Sequence, residues 1–173
     1  MRQIEASLAP PVGFSDLVRE LASSEMAFPR DLALVAGEIS VEGYLQELVD
    51  MAAGVNLQAG WVPMTTLWLL DAEERVVGVS RLRHRLTPFL LERGGHIGYF
   101  VRAAERGKGY GRAILALTLD AARRLGLERV LVTASIENVG SVRVIEANGG
   151  RLEDERLDDA GNPYGRYWIE LTK

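Results

Sequence analysis

Residues 96–135 read as a strand, a glycine-rich turn, a helix and a second strand. The runs "HIGYFVR" (96–102) and "RVLVTAS" (129–135) are short and apolar, as strands require. Between them, residues 111–125 place Ile114, Leu117, Ala121 and Leu125 along one helical stripe, and Gly126 fits the stop. Two strands of one sheet joined through a helix run the same way, so this unit predicts a parallel pair.

The flanking segments fill in a mixed α/β chain. Residues 1–8 suit a first strand ended by Pro10-Pro11, and 14–28 and 40–53 carry helical spacing, the latter with Ser40 as N-cap and Gly54 as stop. Residues 64–70 and 75–86 form a hairpin around a turn at 71–74, with Arg81, Arg83 and Arg85 on one face and Leu82, His84 and Leu86 on the other. Thr87-Pro88 opens a short helical piece closed by Gly94-Gly95, and Gly98 inside the next strand marks a bulge or a close backbone approach. Residues 138–148 form a second short helix with Asn138 able to cap it, and 151–157 and 164–171 a final hairpin. The expected architecture is one central mixed sheet, mostly antiparallel, with one parallel splayed strand pair and helices on both faces.

With 173 residues the chain reads as one domain, residues 1–173, with no repeat or linker to divide it. A net charge of −4 argues against a nucleic-acid binder drawn by phosphates. The absence of cysteine excludes disulfides, Cys-based zinc sites and thiol nucleophiles, and no metal site is expected. No run of about 18 apolar residues suggests a membrane span, and the N-terminus lacks an apolar stretch of signal-peptide length. A cytoplasmic protein is the expectation.

Against that acidic background, "RGKGYG" (106–111) stands out at the helix entrance. Arg102, Arg106, Lys108 and Arg112, offset by Glu105, make the segment locally basic. Free N–H groups at a helix start and the helix dipole favour an anion there, and glycines admit a phosphate without a Cβ in the way. The pattern fits a pyrophosphate cradle; a solvated basic turn is the plain alternative. It is not a Walker loop, which needs Gly-x-x-x-x-Gly-Lys-Ser/Thr, and Gly107, Gly109 and Gly111 miss the last spacing of the dinucleotide fingerprint.

Arg106, Gly109 and Gly111 do satisfy Arg/Gln-x-x-Gly-x-Gly/Ala, and "NVGSVRVIEANGG" places Asn138, Ser141 and Gly149 in a second register one helix and one strand later. In both, the chain resembles the Gcn5-related N-acetyltransferases (GNAT), and within them a poorly characterised bacterial subgroup of predicted acetyltransferases. The resemblance covers 64–173 well and implies an acetyl-CoA-binding core there, with 1–60 as a helical, acceptor-side part. It implies that acetyl-CoA lies between the strand ending at Arg102 and the strand 129–135. Its pyrophosphate would rest on the backbone of Gly107, Lys108, Gly109, Tyr110, Gly111 and Arg112, beside Arg102 and Arg106. Exposed backbone at Phe100 and Val101 would pair with the pantetheine arm, and Asn138 and Ser141 would contact it.

An acceptor amine would attack the thioester directly once a base had taken its proton. His96 and Glu92 are the candidates, each with an ordinary reading as a backbone-bonded or solvated side chain. The tyrosine that many relatives use toward the leaving thiolate falls at Ile145, so Tyr110, Tyr164 or Tyr167 would have to substitute. Arg81, Arg83 and Arg85 could line an acceptor site and favour an acidic acceptor, or be an exposed strand face. Trp61, Trp68 and Trp168 read as packing residues. Relatives often form homodimers, which makes one possible here. The leading expectation is an N-acetyltransferase acting on a small-molecule or exposed peptide amine. A non-catalytic acyl-CoA sensor and an unrelated α/β nucleotide binder are the rivals.

Overall fold

In the computed structural model, which describes residues 1–171, β1 (Arg2–Glu5), β2 (Met64–Leu70), β3 (Val76–Arg83) and β4 (Ile97–Val101) form one antiparallel sheet in that order. The later strands β5 (Arg129–Ser135), β6 (Arg151–Leu157) and β7 (Pro163–Glu170) form a second antiparallel sheet with β7 in the middle. The expected single mixed sheet is therefore divided. No ladder joins β4 to β5 among the described residues; their backbone contact is one bond, His96 N–H to Leu131 O at 2.7 Å. Gly95 makes that contact possible. Its φ is +60°, and a Cβ there would stand 2.4 Å from Leu131 O.

Two layers of helices cover the sheets. Helices α1 (Phe14–Ala22) and α3 (Val41–Ala53) bury Phe14, Leu17, Leu21, Tyr44 and Leu48 against Trp68, Val79 and Phe100. On the opposite face, α5 (Tyr110–Arg124) and α6 (Val139–Ala147) pack Leu115, Leu119 and Ile145 on Leu82 and Ile97 of the first sheet and Val130, Val132, Tyr167 and Ile169 of the second. One apolar core thus spans both sheets where the strands do not. Ile114, Leu115, Thr118, Leu119, Ala121 and Ala122 are the buried residues of α5, whereas Leu125 is 45% exposed. The buried face keeps Ile114 and Ala121 of the expected stripe and is wider than it, because the helix packs against both sheets.

One local expectation changes, and of the two uses expected for Gly98 only the close approach is present. Residues 14–28 are not one helix: α1 stops at Ala22, and α2 (Pro29–Val35) begins with proline at its first position, where no N–H is needed. The remaining helix, α4 (Pro88–Glu92), is the expected short piece after Thr87, whose hydroxyl accepts from Leu90 N–H. Gly98 is not at a bulge. The β3–β4 register runs unbroken through Arg81 and Gly98, and the missing side chain leaves room for the Met26 methyl group.

Candidate active site

The strand β4 sets the first edge of the site. Arg83 N–H donates to His96 O and Arg102 N–H to Val77 O, so the even-numbered residues of β4 bond inward to β3. By the alternation of an antiparallel ladder, the N–H and C=O groups of Ile97, Tyr99 and Val101 point to the open side facing β5. Of the two residues singled out for an exposed backbone, Val101 lies on this edge and Phe100 bonds within the sheet. Tyr99 was missed, although parity from Val101 leads to it. Its hydroxyl is buried with no hydrogen-bond partner among the described residues.

Beyond β4, a 3-10 turn (Ala103–Glu105) leads into the glycine segment. Gly107 and Gly109 hold φ of +77° and +86°, and Gly109 is the N-cap of α5. The first helical bond received from the turn is Ala113 N–H to Gly109 O. Six successive N–H groups, from Gly107 to Arg112, have no acceptor among the described residues. The glycines differ in purpose: a Cβ on Gly107 or Gly109 would meet nothing within 4 Å, whereas one on Gly111 would press Val144 of α6 at 3.2 Å. Gly109 serves backbone conformation, and Gly111 serves helix packing.

The basic residues also differ. Arg102 donates through Nε to Glu20 at 2.8 Å, and Glu20 also receives Ala103 N–H, tying the loop to α1. Lys108 pairs with Glu105 at 2.9 Å. Arg106 donates Nε to Val101 O, and its guanidinium lies 5.6 Å from the Phe100 ring centre. Arg106 and Arg112 form no ion pair among the described residues. Asn138 caps α6 by accepting Ser141 N–H at 3.0 Å, which fixes both residues just beyond the C-terminal end of β5.

The three candidate proton carriers all have other partners or packing. His96 is buried, and its Nδ1 accepts Leu131 N–H at 2.9 Å, a second stitch beside the backbone bond. The neutral ring therefore carries its proton on Nε2. Burial, with Arg83 nearby, pushes its pKa down to about 4. The Glu92 carboxylate is paired with Arg156. Tyr167 is buried in the shared core with its ring across Gly165. Ile145, at the position of the relatives' tyrosine, is fully buried.

On the face bearing α1 to α3, Arg81 and Asp31 are 2% and 0% exposed. Asp31 accepts two bonds from Arg81 Nη2 at 2.7 and 2.6 Å, the Tyr44 hydroxyl at 2.7 Å and Phe28 N–H at 2.7 Å. Arg81, expected on an open face, is a buried tie between β3 and the N-terminal helices. Arg83 instead lines a cleft of about 380 Å³ with Phe28, Trp61, Met64, Phe89 and Leu90. Arg85 stays exposed.

Comparison with known proteins places this geometry. Residues 18–151 match the family model described as "Acetyltransferase (GNAT) domain". A curated relative, L-methionine sulfoximine/L-methionine sulfone acetyltransferase of Salmonella typhimurium, is 32% identical over 73 residues, a stretch covering 42% of each chain. Among solved structures, ribosomal-protein-S5-alanine acetyltransferase of Vibrio fischeri superposes with a TM-score of 0.71 at 18% identity, covering 98% of this chain and 92% of that one. The yncA protein of Salmonella typhimurium, solved with acetyl-CoA, gives 0.68 at 16% identity over 100% of this chain and 95% of that one. At such identities the two structures establish a shared fold.

Proposed function

The chain belongs to the GNAT acetyltransferase family, and on that premise we propose that it moves acetyl from acetyl-CoA to an amine by direct attack. The observation that carries the reading is the run of unpaired N–H groups over 107–112. Buried donors are almost always paired, and exposed ones aligned at a helix start are an anion site. They would hold the diphosphate, with Arg106 and Arg112 adding charge. The outward backbone of Tyr99 and Val101 would bond the pantetheine arm as an added strand and offer an N–H to the thioester oxygen.

The step balances simply. The amine nitrogen bonds to the acetyl carbon as the carbon–sulfur bond breaks; one ammonium proton leaves before attack, and a second leaves the nitrogen as the amide forms and ends on the sulfur. With His96 Nδ1 committed to Leu131 and Glu92 paired with Arg156, the reading gives the first proton to water. The sensor alternative draws on Ile145, which has no proton to offer the thiolate. Release of free CoA with a panel of amines distinguishes the two, since a sensor would bind without turnover.

The cradle is tested by Gly109→Val, with Gly109→Ala beside it. Both strain a residue at φ +86°, costing about 1–2 kcal/mol in stability, and Val also fills the open approach. Calorimetry is expected to show acetyl-CoA affinity falling in the order Gly, Ala, Val while circular dichroism stays native. Equal affinity in all three folded proteins overturns the cradle.

A further inference from the structure

The cleft beside Arg83 has an unbalanced charge. Around the Phe28 ring stand three guanidiniums, with Arg81 at 4.1 Å from its centre and Arg30 and Arg83 each at 5.9 Å. Arg30 also lies 5.5 Å from the Trp61 ring centre. The one carboxylate among them, Asp31, already accepts four bonds, none from Arg30 or Arg83. Glu47 acts on Arg30 from an exposed position without forming an ion pair with it. Arg30 is 9% exposed, and its Nη1 is buried with no partner among the described residues. Arg83 spends Nη1 on the carbonyls of Gly94 and Gly95, both at 3.1 Å. Cations buried with so little opposing charge are costly unless an anion joins them.

The same cleft has apolar walls: Phe28, Trp61, Val62, Met64, Phe89 and Leu90. Its volume of about 380 Å³ suits a small molecule rather than a protein surface. Its position is also telling. Arg83 reaches Gly94 and Gly95, the residues just before His96, where β4 and β5 meet. An anion on the arginine side of the cleft would sit against the stretch of chain that closes the fork between β4 and β5.

We propose that this cleft binds the acceptor as an α-amino acid with an apolar side chain, its carboxylate facing Arg83, with Arg30 packed on Phe28 and Trp61 adding positive charge, and its side chain against Phe28, Trp61 and Phe89. This rests on the acetyltransferase reading given above and adds the acceptor class. In an α-amino acid the amine is one carbon from the carboxylate, so anchoring the acid at Arg83 leaves the amine beside the fork. The surrounding cations disfavour the ammonium form, which helps the amine shed its proton before attack.

The test uses L-phenylalanine and L-leucine, the methyl ester of each, phenethylamine and spermidine. The two readouts are CoA release with acetyl-CoA and direct calorimetric binding without it. Removing or masking the carboxylate is expected to lower kcat/KM and affinity by about tenfold or more, the usual effect of losing a charge-assisted contact. Arg30→Gln and Arg83→Gln are expected to collapse the preference for phenylalanine over phenethylamine; a purely structural effect would lower both alike. Equal handling of acid, ester and amine, preference for spermidine, or an unchanged ratio in both variants overturns the proposal. Failure of acetyl-CoA to bind would overturn the acetyltransferase reading instead, while the calorimetric arm still decides the amino-acid site.

Discussion

His96 joins the two sheets with both its backbone N–H and its ring, so the protonation state of one side chain is coupled to the junction beneath the fork. Protonating Nδ1 would replace the bond from Leu131 N–H with a clash of two donors. The sign of the pH effect follows from the depressed pKa, about 4 in the fold against an ordinary 6.5. Between those values the unfolded chain takes up a proton that the native ring refuses. Stability is therefore fully present above pH 6.5 and falls as pH drops toward 4, by up to about 3 kcal/mol. Urea denaturation across that window is expected to show this slope in the native protein and a flatter one in His96→Phe. Parallel slopes would mean the ring does not hold the junction. The sequence pointed to His96, but its spacing could not tell a base from a stitch. That depended on Leu131, 35 residues away.

Among elements, the junction of β4 and β5 shows where pattern reading stops. The strand–helix–strand order was legible because its apolar periods differ so clearly. Whether the two strands pair along their length is a matter of where the backbones separate, and that is decided by residues 95 and 96. Gly95 admits the Leu131 carbonyl at a distance no Cβ tolerates. Gly95→Ala is expected to cost about 2–4 kcal/mol through this clash and the strained positive φ. It should also loosen the fork, seen as faster amide exchange at Leu131. A variant as stable as the parent would show that the sheets do not touch there. By contrast, the glycine-rich entrance of α5 was readable residue by residue, since glycines and free N–H groups at a helix start are properties of local sequence.

At the scale of the molecule, the N-terminal helices are bound to the first sheet by one buried polar network as well as by apolar packing. Asp31 on α2 holds Arg81 of β3 and Tyr44 of α3. Removing one partner leaves the other charged and dry, so Asp31→Asn is expected to cost about 3–5 kcal/mol. A loss below about 1 kcal/mol would mark the pair as no stronger than a solvated surface bridge. Since Phe28, whose N–H Asp31 accepts, walls the proposed acceptor cleft, that variant should also impair amino-acid binding before it affects acetyl-CoA.

The sequence by itself determined the order of strands and helices apart from α2, the glycine-rich helix entrance and the family resemblance, because each rests on neighbours within a few residues. Only the tertiary structure decided that the sheets divide at His96, that Arg81 is buried and Arg83 lines a cleft, and that Arg30 stands beside them without an ion pair among the described residues. Alternation places a side chain on a face of a strand. What lies across that face is set by chain 50 residues distant in the case of Arg81 and Asp31, and no local period carries that information.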